Sequence, residues 1–197
     1  MSLLRACALL LAILLSGSAC SSDDGEAQAT ATTVTDNEAG MPGGVNLERD
    51  GVTAVHAEGT RNKIPFGTPT QEARDELAII LGEPDTEAVI ADCSAGITPD
   101  QIVWPGFLML SVDGAFAGWA AKEDEYAVLE RGQRITIGSP LKLVSELLGP
   151  LELAQSPRGF EFVLTNDDKT TYAGAFPSQE PTAPLIAFAA GLTCFAR

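Results

Sequence analysis

Two short stretches decide how this chain is read: Ile64-Pro65-Phe66-Gly67-Thr68-Pro69 and Ile135-Thr136-Ile137-Gly138-Ser139-Pro140. Each is followed by a helical pattern that ends in a stop, Leu81-Gly82-Glu83-Pro84 after the first and Leu148-Gly149-Pro150 after the second. A hydroxyl followed by proline is a helix start. Thr68 and Ser139 can cap exposed N–H groups, while Pro69 and Pro140 fit the first helical position, where a missing N–H costs nothing. Gln71 is placed to complete a capping box with Thr68. Gly82 and Gly149 suit the backbone just past a helix end, and a proline beyond each prevents continuation. Apolar spacing puts Ala73, Leu77, Ile80 and Leu81 on one face of the first helix, and Leu143, Val144, Leu147 and Leu148 on one face of the second. Helices this short need a sheet to pack on.

Strand-like runs follow each helix. The first set is 88–93, 102–112 and 115–120, with Asp113-Gly114 as a hairpin signal. The second is 151–154, 159–165 and 170–175, with a turn at Asn166-Asp167-Asp168. In 159–165, Phe160, Phe162 and Leu164 alternate with Glu161, Val163 and Thr165, as a strand with two unlike faces requires. Residues 185–195 supply a last strand. The same order of cap, helix, stop and hairpin occurs twice. It predicts an α+β fold of two tandem repeats, about 60–125 and 126–197, each a short helix followed by antiparallel strands. The strands are expected to form one mostly antiparallel sheet with the helices packed on it.

The amino terminus reads as an address. Arg5 precedes an apolar run over 6–15, and Ser16, Gly17, Ser18 and Ala19 are small enough for a leader peptidase. The run is shorter than the ~20 residues that span a bilayer. Cys20 follows, then Ser21, Ser22, Asp23 and Asp24. This resembles the lipobox of bacterial lipoproteins, in which the cysteine is acylated and becomes the first residue; Gly17 stands where that family carries an aliphatic side chain. The resemblance implies two or more acyl chains on Cys20, palmitate among them, and one chain alone binds membranes only marginally. Residues 1–19 are then a signal peptide, 20–45 a lipidated cysteine with an acidic tether, and 46–197 the folded domain. The tether has almost no large apolar side chains with which to offset its ordering entropy. The implied location is the extracytoplasmic face of a bacterial cell membrane, or the outer membrane in a Gram-negative host.

Charge and cysteine usage narrow the partners. Twelve Lys+Arg against 27 Asp+Glu give a formal charge of −15, which opposes binding to nucleic acid and adhesion to anionic lipid. Loss of Arg5 with the leader makes the chain more negative still. Of four cysteines, Cys7 leaves with the leader and Cys20 takes lipid. Cys93 and Cys194 remain, and an oxidising compartment offers them one pairing. Such a bridge closes a loop of about 100 residues, for which chain entropy gives roughly 4.7 kcal/mol. The alternative is an extracytoplasmic hydrolase that uses Cys93 with His56 as base, or a pair of carboxylates.

The remaining candidates read more simply. His56 lies in an alternating run over 52–58, and as the only histidine it makes no metal site by itself. Asn166-Asp167-Asp168 lacks the spaced oxygens and central glycine of a calcium loop and reads as a turn. Glu123, Asp124 and Glu125 read as a solvated connector. No cofactor is expected. Trp104, Phe107, Phe116 and Trp119 cluster around the first hairpin, most of them as core, and they form an interaction patch where a ring protrudes.

The Phe-Gly-Thr-Pro element, short helix and Leu-Gly-x-Pro stop resemble the helix-then-strands units of small bacterial envelope lipoproteins of the outer-membrane-assembly type. The paired arrangement is similar to that of β-lactamase inhibitor protein. Cys93, Ala117-Gly118-Trp119 and Ala190-Gly191-Leu192-Thr193-Cys194 resemble uncharacterised actinobacterial secreted lipoproteins. These resemblances imply a non-enzymatic, lipid-anchored binding or scaffold module whose partner is an envelope protein or a cell-wall component. A purely structural envelope lipoprotein is a further alternative.

Overall fold

A computed structural model describes residues 43–91, 93, 96–167 and 169–194; the predicted leader, Cys20 and residues 21–42 of the predicted tether lie outside the described residues. Three strands come first, β1 (Gly44–Glu48), β2 (Gly51–Val55) and β3 (Arg61–Pro65), followed by helix α1 (Thr70–Leu81). Next are β4 (Thr86–Val89), β5 (Asp100–Trp104), β6 (Phe107–Val112), β7 (Ala115–Ala121), β8 (Ala127–Glu130) and β9 (Gln133–Thr136). Helix α2 (Leu141–Leu148) precedes β10 (Ala154–Ser156), β11 (Gly159–Thr165), β12 (Thr171–Phe176) and β13 (Ala187–Gly191). One sheet has five strands in the order β3-β2-β1-β8-β9, and the other has eight in the order β10-β11-β12-β13-β7-β6-β5-β4.

This corrects the predicted fold class. Among the described residues the protein is mostly β, 13 strands in two sheets with two short helices, and not an α+β tandem of helix-plus-strand repeats on one sheet. The chain halves are not separate units. The five-stranded sheet draws β1, β2 and β3 from one half and β8 and β9 from the other, joined by a parallel pairing that sets Asn46 beside Ala127 and Leu47 beside Val128. The eight-stranded sheet is continuous through the antiparallel pairing of β13 with β7, Phe188 opposite Ala121 and Ala190 opposite Trp119. Four strands were unreadable locally. β3 (Arg-Asn-Lys-Ile-Pro) and β9 (Gln-Arg-Ile-Thr) are short edge strands that each bury one isoleucine, Ile64 and Ile135, so neither shows an alternation. β1 begins in the stretch predicted to be tether, with Val45 and Leu47 buried, and β8 follows directly on the acidic connector.

The two Gly-Thr/Ser-Pro segments do share a local geometry, though not the predicted caps. Pro69 and Pro140 are themselves the residues before the first helical turn, and their carbonyls accept from Ala73 and Val144. The Thr68 hydroxyl donates back to the Pro65 carbonyl at 2.8 Å, and the Ser139 hydroxyl accepts from the Thr136 N–H at 3.0 Å. Both therefore close the turn before the helix. Gln71 donates to Asp75 instead of completing a box. The stops occur as predicted: Gly82 and Gly149 have φ of 82° and 104°, and each sends its N–H to the helix's last turn. Ala73 and Leu77 are the buried residues of α1; α2 buries Leu141, Val144 and Leu147.

One core unites the sheets and helices. Trp119 packs edge-on against Phe188, which stacks on Tyr172; Phe162 stacks on Phe176; Phe107 lies between Trp104 and Tyr126. The two indole N–H groups find backbone partners, as buried donors must. Trp104 donates to the Gly82 carbonyl, and Trp119 to the Glu48 carbonyl, both at 2.8 Å. The second face of β11 is not a solvent face. Glu161 is 2% exposed with Arg158 at 3.8 Å, and Val163 packs on Ala173, Ala175 and Ala189.

Trp119→Phe removes both an inter-sheet hydrogen bond and ring volume. It should lower the unfolding free energy by about 2–4 kcal/mol, read as a lower urea midpoint with an unchanged slope.

Candidate functional site

The structure separates the sequence candidates. Cys20 lies outside the described residues, as does Asp168. Cys93 and Cys194 are bonded to each other with Cα atoms 4.8 Å apart. The bond joins the segment after β13 to the connection between β4 and β5. With its sulfur so engaged, Cys93 offers no thiolate, and a thiolate is what a nucleophilic role requires. Trp104, Phe107, Phe116 and Trp119 are all at most 2% exposed. They are core residues and not a surface patch, in one buried cluster with side chains of both sheets.

His56 has found other company than Cys93. It follows β2, and its Nε2 donates to Glu76 Oε1 of α1 at 2.7 Å, the role a carboxylate partner requires. Asn62 of β3 donates to the same oxygen at 2.7 Å, with its nitrogen 3.2 Å from the imidazole. The Asn62 hydrogen bond is the largest influence holding the Glu76 carboxyl below its ordinary value; burial opposes it, and His56 lowers it further. The three residues pin α1 to the edge of the five-stranded sheet. Among the described residues no three His, Cys, Asp or Glu side chains gather closely enough to hold a metal ion.

A groove of about 310 Å³ opens where the strand ends of the two sheets meet. Its walls are the β1–β2 turn (Arg49, Asp50), the end of β3 running into Phe66, and the β11–β12 hairpin (Lys169, Thr170, Thr171). Gly191, at the end of β13, forms part of the floor. A Cβ there would stand 2.6 Å from the Phe66 ring and 2.5 Å from the Ala117 carbonyl, and φ is 73°, so only glycine keeps Phe66 in place. Phe66 is held from behind by Phe116, edge to face at 5.0 Å.

Charge in the groove is ordered by neighbours. Arg49 donates to Glu130 of β8 at 2.9 Å, and the Tyr172 hydroxyl donates to the same carboxylate at 3.0 Å. Burial first, and Glu130 second, push Tyr172 above the ordinary phenol value, which keeps it a donor. Asp50 is met by Lys63 at 2.9 Å; Lys63 also reaches Glu48 at 3.0 Å, and Glu48 accepts from the Thr53 hydroxyl. Lys169 is exposed at the hairpin turn, with φ of 66° and its N–H donated to the Asn166 carbonyl. The hairpin turn itself is visible in the sequence. Its neighbours across the groove are not, because Arg49 and Phe66 belong to turns of the other sheet.

Comparison with protein-family models, curated proteins and solved structures gives no match for this chain.

Two measurements follow from these contacts. A thiol reagent under denaturing conditions should find Cys93 and Cys194 unreactive until a reductant is added. Glu76→Gln should lower the melting temperature at neutral pH. A carboxyl with a depressed folded value stabilises above its ordinary value, about 4.3, and loses that contribution as pH falls through the depressed value. Wild type and variant melts should therefore converge as pH falls below that depressed value.

Proposed function

We propose that this protein is a lipid-anchored extracytoplasmic binding module of a bacterial cell envelope, non-enzymatic, whose partner is an envelope protein or a cell-wall component. The Cys93–Cys194 disulfide is the observation that carries the reading. Such bonds persist in oxidising compartments, and the residues before Cys20 supply the matching export signal. Among the described residues no helix is long and apolar enough to cross a membrane; Cys20, in its lipobox-like setting, is the proposed point of attachment. Two acyl chains there suffice for stable anchorage, and the acidic tether holds the β body away from the bilayer.

Binding is favoured over hydrolysis by the fate of the proposed catalytic pair. Cys93 is oxidised, and His56 is held by Glu76 and Asn62. The groove at the strand ends supplies a place for a ligand on a rigid frame, where the loops of β folds commonly carry recognition.

Radiolabelled palmitate should enter the wild-type protein and not Cys20→Ala; equal labelling of both would remove the anchor. Crosslinking in intact cells should recover a reproducible partner. Repeated failure to exceed background would remove the binding role and favour a purely structural envelope protein.

A further inference from the structure

We infer that the groove between the β1–β2 turn and the β11–β12 hairpin is a binding site for a small organic carboxylate, its anionic end at Lys169 and Arg49 and its hydrocarbon end on Phe66 and Pro65. This deepens the binding-module reading and rests on it.

Charge is the first argument. The chain carries −15, yet two cations line this groove, one from each sheet. Among the described residues the acid in its lining is Asp50, which is already met by Lys63 at 2.9 Å. Arg49 is oriented by Glu130, so its planar fork is set before any ligand arrives. Among the described residues Lys169 makes no ion pair, and the Thr171 hydroxyl lies in the same wall.

Backbone conformation is the second. Lys169 sits at φ 66°, where glycine or asparagine is the unstrained choice. A lysine there carries backbone strain that the turn does not require. What the lysine adds is a cation at the groove mouth.

Size and apolar lining are the third. A volume of about 310 Å³ is at the low end for ligand sites. At about 30 Å³ for each water displaced, it holds roughly ten non-hydrogen atoms. That fits one anionic group with a short hydrocarbon. Phe66 and Pro65 supply the apolar wall, and Gly191 keeps the ring there. A phosphate would offer similar oxygens, but it carries nearly two charges, and Glu48, Asp50 and Glu130 stand close by. A singly charged carboxylate meets less repulsion.

The test is an NMR titration of the ¹⁵N-labelled full chain in detergent with 3-phenylpropionate, against 3-phenylpropan-1-ol and inorganic phosphate at matched ionic strength. Saturable amide shifts confined to Lys169, Thr170, Thr171 and Gly191 are expected, with the alcohol at least about tenfold weaker. Lys169→Gly should lower carboxylate affinity about tenfold while leaving the melting temperature equal or higher, since it removes strain along with charge. Micelle partitioning is common to wild type and variant. Equal binding of the alcohol, or of Lys169→Gly, would overturn the anionic subsite. Phosphate matching the carboxylate would reassign the site to a bare oxyanion and overturn the hydrocarbon part. No saturable shift would overturn the site altogether, and would leave palmitate labelling and partner crosslinking, on which the broader reading depends, to stand or fall separately.

Discussion

Trp119 is the contact through which the rest of the body is organised. Its ring lies on β7, in the middle of the eight-stranded sheet, wholly out of water and edge-on to Phe188. Its indole N–H reaches across to the Glu48 carbonyl at the end of β1. An indole donor buried without a partner would cost more than the bond contributes, so the ring dictates where β1 must end relative to β7. The neighbouring strand β13 pairs with β7 through the same residues, Ala190 opposite Trp119. One side chain thus ties the entry strand, the central strand and the final strand into one packing unit.

The groove is a by-product of that arrangement. Because β1 ends at the Trp119 bond, the turn after it, Arg49-Asp50, is placed at the seam of the two sheets. The β11–β12 hairpin ends at the same seam, where Tyr172 and Arg49 share the Glu130 carboxylate. Polar groups collect here because strand ends leave the core while staying close to one another. The interior has no room for such a network: Trp104, Phe107, Phe162 and Phe176 fill it with rings. Rigid strands therefore hold the cations, and a glycine at residue 191 keeps an aromatic wall beside them.

Local chemistry made some features legible. Asp113-Gly114 has φ of 52° and 76°, the left-handed pair that a two-residue hairpin demands, and Asp-Gly is a residue pair suited to it. Gly82 and Gly149 end their helices at a positive φ with extended ψ, a conformation open to glycine. Assigning Cys7 to a leader and Cys20 to lipid leaves Cys93 and Cys194 as the expected pair, and that bond is present. Other features depended on partners that no local pattern names. Thr68 and Ser139 have the chemistry of caps, but the turns before the helices offered nearer partners. The run 102–112 reads as one strand, whereas Pro105 and Gly106, with φ of 65°, fold it into β5 and β6. Glu161 alternates correctly and is still buried, because the second face of its sheet is apolar with Ala173, Ala175 and Ala189.

The sequence by itself determined the Asp113-Gly114 hairpin and where the two helices stop, and it left Cys93 and Cys194 as the expected pair and a set of aromatic residues ready to fill a core. These depend on backbone sterics, redox chemistry and side-chain size, all properties of a residue and its near neighbours. Only the tertiary structure decided that the strands form two sheets instead of one. That outcome rests on β1 meeting β8 in parallel and β13 meeting β7, pairings whose free energy comes from backbone groups far apart in sequence and identical in kind at every position. The groove has the same origin. Arg49, Phe66, Lys169 and Gly191 become neighbours only after both sheets close, and no spacing along the chain records that they will.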